Sequence, residues 1–157
     1  LAIYLEARND ERRKIQDGIY EEALLRADPS QPALVLADDG WHPGIMGIVA
    51  AKLLERYFKP VFIASQGKGS VRSTPGISAV GALRHAREHL LGFGGHEQAA
   101  GFSFEPARLA ALQDSIFSYV ERHPTPVPSL TVDAAVAVSD IDRARDLRCA
   151  ASRLAVL

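Results

Sequence analysis

Between residues 1 and 27 the apolar positions fall at helical spacing: Leu5, Ile15, Ile19 and Ala23, with Arg12 beside them, lie close to one stripe. Asp10, Glu11, Arg13, Lys14 and Asp17 fall mostly on the opposite side, so the pattern predicts one long helix with a solvent face. Asp28-Pro29-Ser30-Gln31-Pro32 ends it, because each proline lacks an amide donor and disfavours helix in the residue before it. Ala33-Leu34-Val35-Leu36-Ala37 is a continuous apolar run and reads as a buried strand. Ile45, Val49, Leu53 and Tyr57 then mark a helix to Phe58, stopped by Pro60, before a second buried strand at Val61-Phe62-Ile63-Ala64. Residues 33–64 thus form a strand, helix, strand unit of the right-handed βαβ kind.

Gln66-Gly67-Lys68-Gly69 turns the chain into a short extended piece, Ser70 to Ser73. Ser78 is placed to cap a helix reaching about Leu90, and Gly92-Phe93-Gly94-Gly95-His96 follows as a glycine-rich turn. Ala99 to Phe104 reads as a strand, and Pro106 opens a helix to about Arg122 with Leu109, Leu112, Ile116 and Val120 near one face. Three prolines at alternate positions in His123-Pro124-Thr125-Pro126-Val127-Pro128-Ser129 make a stiff linker and a domain boundary. Leu130 to Val138 reads as a strand and Ser139 with Asp142 as a helix start. The expected parts are a connector helix at 1–27, a main domain at 28–123, a linker at 124–129 and the start of a following domain at 130–157. Because the chain opens on Leu1 inside a helical pattern and closes inside another, both ends are expected to be cut from a longer protein.

Composition narrows the class. With 157 residues, 47% hydrophobic and 24% charged, the chain suits one soluble domain with a core plus connecting pieces. No apolar run approaches the ~20 residues that span a bilayer, and no signal-peptide pattern opens the chain, so a cytoplasmic protein without membrane contact is expected. The single cysteine, Cys149, excludes an internal disulfide and any cysteine-based zinc site, and its own role is not legible. Net charge is −1, yet Lys59, Lys68, Arg72, Arg84 and Arg87 stand against Glu88 alone between residues 59 and 96. A local basic surface on a near-neutral chain suits an anion bound in one cleft, although a solvated face of mixed charge has the same composition.

Three segments are candidates for that anion. The glycines at 92, 94 and 95 remove Cβ atoms, letting backbone press against a ligand such as phosphate, with His96 beside it. Ser70 and Arg72 point to one side of an extended segment, with Lys68 and Ser73 flanking them. Two hydroxyls and a guanidinium fork can satisfy several oxygens of a terminal phosphate, whereas a plain strand edge with one arginine needs no ligand. His42, in Trp41-His42-Pro43-Gly44, lies at the carboxyl end of the first strand, where it can donate to phosphate, act as acid or base, or pack on Trp41. Walker and dinucleotide glycine loops and the G-x-S-x-G elbow are absent. His85-Ala86-Arg87-Glu88-His89 has the letters of a zinc motif, but no third ligand follows at a useful spacing, so an exposed histidine pair is the better reading.

Taken together, Trp41-His42-Pro43-Gly44-Ile45-Met46-Gly47-Ile48-Val49-Ala50, Lys68-Gly69-Ser70-Val71-Arg72-Ser73 and Gly94-Gly95-His96-Glu97-Gln98-Ala99-Ala100-Gly101 resemble the DHHA1 domain of the RecJ single-strand-specific exonucleases of the DHH phosphoesterase family. Asn9-Asp10-Glu11-Arg12-Arg13 resembles that family's interdomain helix, and the stretch after the prolines resembles the start of its oligonucleotide-binding-fold domain. The resemblance implies an α/β fold: a small mixed sheet flanked by helices, after a long connector helix and before a further domain. It implies a 5′-to-3′ exonuclease of DNA repair and recombination, a hydrolase in which a separate DHH domain holds manganese or magnesium. The aspartate motifs of that domain are missing from these residues, so no metal ligand is expected here and the isolated chain is expected to be inactive. By position, Ser70 and Arg72 would hold the 5′ phosphate, with Lys68 and Ser73 beside them. Gly95 and His96 would face the scissile region, with Gly94 a further substrate-binding residue; His42 would line the same cleft as a second catalytic candidate, and Arg12 or Arg13 would touch the strand. The implied partners are single-stranded DNA with a 5′ phosphate and a helicase or single-strand-binding protein, the chain itself being a monomer. Related readings are an oligoribonuclease or cyclic-dinucleotide phosphodiesterase of the same family, or a nucleotide-binding module without chemistry.

Overall fold

The computed structural model describes residues 2–124, 127 and 128. The strand and helix expected beyond the proline linker lie outside the described residues. Nine elements follow in order: α1 (Ala2–Arg26), β1 (Leu34–Ala37), α2 (Pro43–Tyr57), β2 (Val61–Ser65), β3 (Lys68–Arg72), α3 (Ala79–His85), β4 (Gly92–Gly95), β5 (Ala99–Ser103) and α4 (Leu109–Glu121). Short 3₁₀ turns at Arg87–His89 and Pro106–Arg108 precede β4 and α4.

The five strands form one mixed sheet in the order β1-β2-β3-β5-β4. Only β1 and β2 are parallel, as the α2 crossover between them requires, and the other neighbours are antiparallel. Gln66 and Gly67, with φ of 51° and 73°, supply the two left-handed residues of a tight hairpin whose twist matches its strands, so β3 folds straight back on β2. Asp39 fastens this turn by accepting the Gln66 amide at 2.9 Å.

Strand alternation divides the core. Val61 and Ile63 face one side with Leu34, Leu36 and the buried α2 residues Ile45, Met46, Val49 and Leu53, while Phe62 and Ala64 face the other with Val71, Phe102, Leu83, Leu112 and Ile116. Helix α2, with α1 behind it, therefore covers one face over β1 and β2, and α3 and α4 cover the other.

Four expectations change. On α1 the residues buried against α2 are Gln16, Ile19 and Ala23, whereas Ile15 is 42% exposed, so the contact stripe is rotated from the one the apolar letters outline. Helix α2 begins at Pro43, two residues early, because proline suits the first helical position and His42 caps it. The helix after Ser78 ends at His85, although Ser78 does cap it by accepting the Gly81 amide at 3.1 Å. Gly92–Gly95 is not a turn: it is edge strand β4, paired with β5 along its whole length, and the reversal falls at Glu97–Gln98.

Candidate functional site: an uncovered basic sheet face

Directly opposite residues on paired strands share a face, so the register assembles rows across the sheet. Ile63 pairs Ser70, Ser70 pairs Gly101, and Gly101 pairs Gly94. Flanking rows run Ser65–Lys68–Ser103–Gly92 and Val61–Arg72–Ala99. Since Ile63 and Val61 lie under α2, all these residues belong to the α2 side of the sheet. There α2 covers only the near half, and Lys68, Gly92, Gly94 and Gly101 are exposed while Ser70 and Arg72 are half-buried.

The glycines make this region a floor of bare backbone. A Cβ on Gly94 would meet nothing within 4 Å, and one on Gly101 would meet only the Gly69 carbonyl at 3.7 Å, so the missing side chains leave open surface. Gly95 is glycine for a different reason: its φ is +145°, and a side chain would run into the Ala100 backbone. Gly69 faces the opposite side, where a Cβ would strike the Phe102 ring.

Arg72 lies against α2. Its Nη1 donates to the Val71 carbonyl at 2.9 Å, and its Nη2 would stand 3.0 Å from a Cβ built on Gly47. A glycine inside α2 thus makes room for the guanidinium, which keeps free N–H groups and has no ion pair among the described residues. Lys68 likewise has none. The face therefore carries two uncompensated positive charges beside the Ser70 hydroxyl, a donor set that matches phosphate oxygens.

His42 is the N-cap of α2: its Nδ1 accepts the Gly44 amide at 3.1 Å. In the neutral ring that bond assigns the proton to Nε2, which leaves the exposed side of the ring as a hydrogen-bond donor. The preceding Trp41 is buried and tied to α1, with Nε1 donating to Glu22 Oε2 at 2.9 Å and Arg26 stacked 5.3 Å from its ring. Arg26 also pairs with Asp38 at 2.6 Å, so the loop that carries His42 is latched to the long helix. The Gly40 amide and the Arg26 guanidinium hold the Asp38 carboxyl below its ordinary value.

His96 is exposed at the end of β4, and its amide donates to Ala99 at 2.8 Å. Antiparallel alternation from that bond turns the Gly95 N–H outward on the open edge of the sheet, beside His96. Ser73 takes another role: it is 5% exposed and its hydroxyl donates to the Ile77 carbonyl at 2.6 Å, bracing the loop after β3 instead of joining the face. Arg12 and Arg13 are exposed on α1, Arg12 bonded to Asn9 at 2.9 Å, and no hydrogen bond or ion pair links either of them to the sheet. The structure thus brings Lys68, Ser70, Arg72 and Gly94 together on one face, with His42 at the head of α2 and Gly95 and His96 at the rim. Gly101 and Gly47 join this set; the first has a signal only through strand register, the second as a glycine inside a helix. His85 stacks 5.7 Å from Tyr119 and His89 lies 3.6 Å from Glu88, and neither belongs to the face.

Among the described residues no three His, Cys, Asp or Glu side chains stand together as a metal site. A divalent ion therefore finds no fitting donor set among these residues.

Fold and site define the class: a mixed-sheet α/β domain with a basic, half-uncovered face. The DHHA1 domain model matches residues 30–122, and the chain belongs to that family. It is similar to the single-stranded-DNA-specific exonuclease RecJ of Thermus thermophilus, at 45% identity over 119 residues, 76% of this chain and 18% of that protein. RecJ of Bacillus subtilis is 31% identical over 153 residues, 90% of this chain and 20% of that protein. A crystal structure of RecJ from Thermus thermophilus in complex with Mg2+ superposes with a TM-score of 0.86 at 39% identity, covering 91% of this chain and 23% of that one. A RecJ structure bound to manganese gives 0.75 at 43% identity, covering 78% and 32%. The chain spans about a fifth of the length of the relatives it matches. Over the described residues the α/β architecture with its five-stranded mixed sheet agrees with these structures.

Proposed function

We propose that this chain supplies the DNA-gripping face of a single-stranded-DNA exonuclease acting 5′ to 3′ in DNA repair and recombination. The observation that carries the reading is the row Ser70–Gly101–Gly94 with Lys68 and Arg72 beside it: phosphate-binding donors at the margin of a floor flat enough for a flexible strand. Such a floor excludes side chains from the strand's path, and the two cations give an affinity that falls with salt as counterions are displaced. Ser70 and Arg72 hold the 5′ phosphate, and the Gly95 amide and His96 face the bond to be cut. His42 donates from Nε2 into the same cleft. On this reading the divalent ions seen in RecJ structures are held by carboxylates outside these residues, and the protein works in the cytoplasm.

Amide NMR of the chain titrated with a 5′-phosphorylated single-stranded oligonucleotide tests the face. Shifts concentrated at Lys68, Ser70, Arg72, Gly94 and Gly101 are expected, weakening as salt rises. Shifts confined to α3 and α4 would overturn the reading. The chain alone is expected to leave DNA intact in manganese or magnesium, and metal-dependent degradation by a clean preparation contradicts the division of labour.

A further inference from the structure

The His42 ring lies over the first turn of α2. Its Nδ1 accepts the Gly44 amide at 3.1 Å, and a Cβ on Gly44 would stand 3.2 Å from its Cε1, so glycine at 44 leaves the ring its seat. Among the described residues the side chain makes no other hydrogen bond. The Gly44 amide, in the first turn, has no carbonyl of its own helix to meet, so this bond is its protection as well. One hydrogen bond fixes the two torsions of an imidazole only while the backbone that carries the ring stays in place.

Trp41 holds that backbone. Its indole is 2% exposed, in the core cluster with Ile19, Ala23, Ile45 and Met46, and its only polar atom donates to Glu22 Oε2 at 2.9 Å. A buried indole N–H is a donor that needs an acceptor, and Glu22 supplies it from the exposed surface of α1. Arg26, one turn further along α1, stands 5.3 Å from the same ring but is shared with Asp38 and the Ala37 carbonyl at the start of the loop. Glu22 is not shared: among the described residues its carboxylate meets Trp41 alone.

Resting on the reading of His42 as a donor into the cleft, we propose that Glu22 is a positioning residue for that donor. Through the Trp41 indole it fixes the backbone at 41–42, and with it the cap bond and the direction in which the His42 Nε2–H points. The connector helix thereby takes part in the site without touching DNA. A shift of α1 that loosens the bond to Trp41 reaches His42, whereas Lys68, Ser70 and Arg72 sit on β3 and keep their places.

Two measurements test this, and the first needs no activity. Amide hydrogen exchange of the 157-residue chain reads the cap bond at Gly44. Glu22→Ala should speed exchange there roughly fivefold, with the amides of β2 and β3 unchanged, and Glu22→Gln, which keeps an acceptor oxygen for the indole, should stay with the parent. Exchange at Gly44 that matches the parent in Glu22→Ala, or that rises together with the sheet amides, overturns the proposal. The second measurement is cleavage of 5′-phosphorylated single-stranded DNA by the complete enzyme. Glu22→Ala should lower kcat roughly five- to twentyfold with KM within about twofold, and Glu22→Gln should recover most of the loss. In a His42→Ala background the same substitution should change kcat by less than about twofold, because its effect runs through that ring. Losses that multiply in the double variant, or a raised KM with kcat intact, overturn the positioning role and leave the reading of His42 standing. A His42→Ala enzyme that cleaves as fast as the parent overturns that reading instead, and the exchange at Gly44 still decides whether Glu22 sets the ring.

Discussion

The Arg72 guanidinium lies where α2 has no side chain: its Nη2 would be 3.0 Å from a Cβ on Gly47. Glycine inside a helix costs about 1 kcal/mol relative to alanine, so its presence trades helix stability for the guanidinium's seat. Gly47→Ala is therefore expected to raise unfolding free energy by up to about 1 kcal/mol while pushing the flexible arginine tip aside by a few tenths of an ångström. In the complete enzyme the preference for 5′-phosphorylated over 5′-hydroxyl substrate should fall roughly two- to fivefold. Denaturant melts alongside cleavage of both substrates check the two opposite signs, and a variant that gains stability with its preference intact removes Gly47 from the site.

Arg72→Ala removes the guanidinium itself. Charge-assisted hydrogen bonds of roughly 1.5–3 kcal/mol should be lost in the complete enzyme, which weakens 5′-phosphorylated substrates by about tenfold to a hundredfold. A 5′-hydroxyl substrate never made those bonds and should lose much less. Equal losses on both, with a lowered melting temperature, identify Arg72 as a brace of the strand edge instead.

Neighbouring glycines on β4 separate stability from binding. Gly95→Ala places a Cβ 2.5 Å from the Ala99 carbonyl at a φ of +145°, where backbone must move, and should cost more than about 2 kcal/mol. Gly94→Ala meets open space and should stay within about 0.5 kcal/mol of the parent. Its methyl group nevertheless stands on the floor and should weaken single-stranded DNA binding by roughly fivefold. Urea titrations and fluorescence binding on the two variants read this contrast, and a Gly94→Ala variant that binds normally means the strand does not cross the glycine row.

Much of this site is legible in the sequence alone. The βαβ unit announces itself through two short apolar runs around a helical pattern, and the three polar-glycine segments carry the family resemblance that the DHHA1 match bears out. What stays hidden depends on pairing between distant residues. Gly92–Gly95 reads as a turn because three glycines weaken any strand signal, and only its partner β5 makes it a strand. Gly101 belongs to the floor through register with Ser70, and no local pattern encodes register. Ser73 has the letters of a phosphate ligand, yet alternation turns it to the opposite side from Ser70 and Arg72, where its hydroxyl meets Ile77.

The latch between α1 and the loop carrying His42 should respond to acid. Asp38 accepts the Gly40 amide at 2.7 Å and meets Arg26 at 2.6 Å, and both partners favour its ionised form. The folded carboxyl therefore titrates below the ordinary value of about 3.9. A depressed folded value means that the contribution is fully present above about pH 4 and fades as the pH falls through the folded value. Asp38→Asn keeps an oxygen for the Gly40 amide but turns an NH2 toward Arg26, so it removes both the charge and the acceptor that Arg26 meets. The melting temperature of the parent should exceed that of Asp38→Asn at pH 6 to 7, with the gap closing as the pH falls below about 4 and through the folded value. Asp17 and Asp28 are also held low, by Lys52 and by Ser30, but they titrate in both proteins and cancel in the difference. Differential scanning calorimetry of the pair across this range decides the point: a gap that stays constant to pH 2 means that Arg26 and Trp41 hold the loop without help from the Asp38 charge.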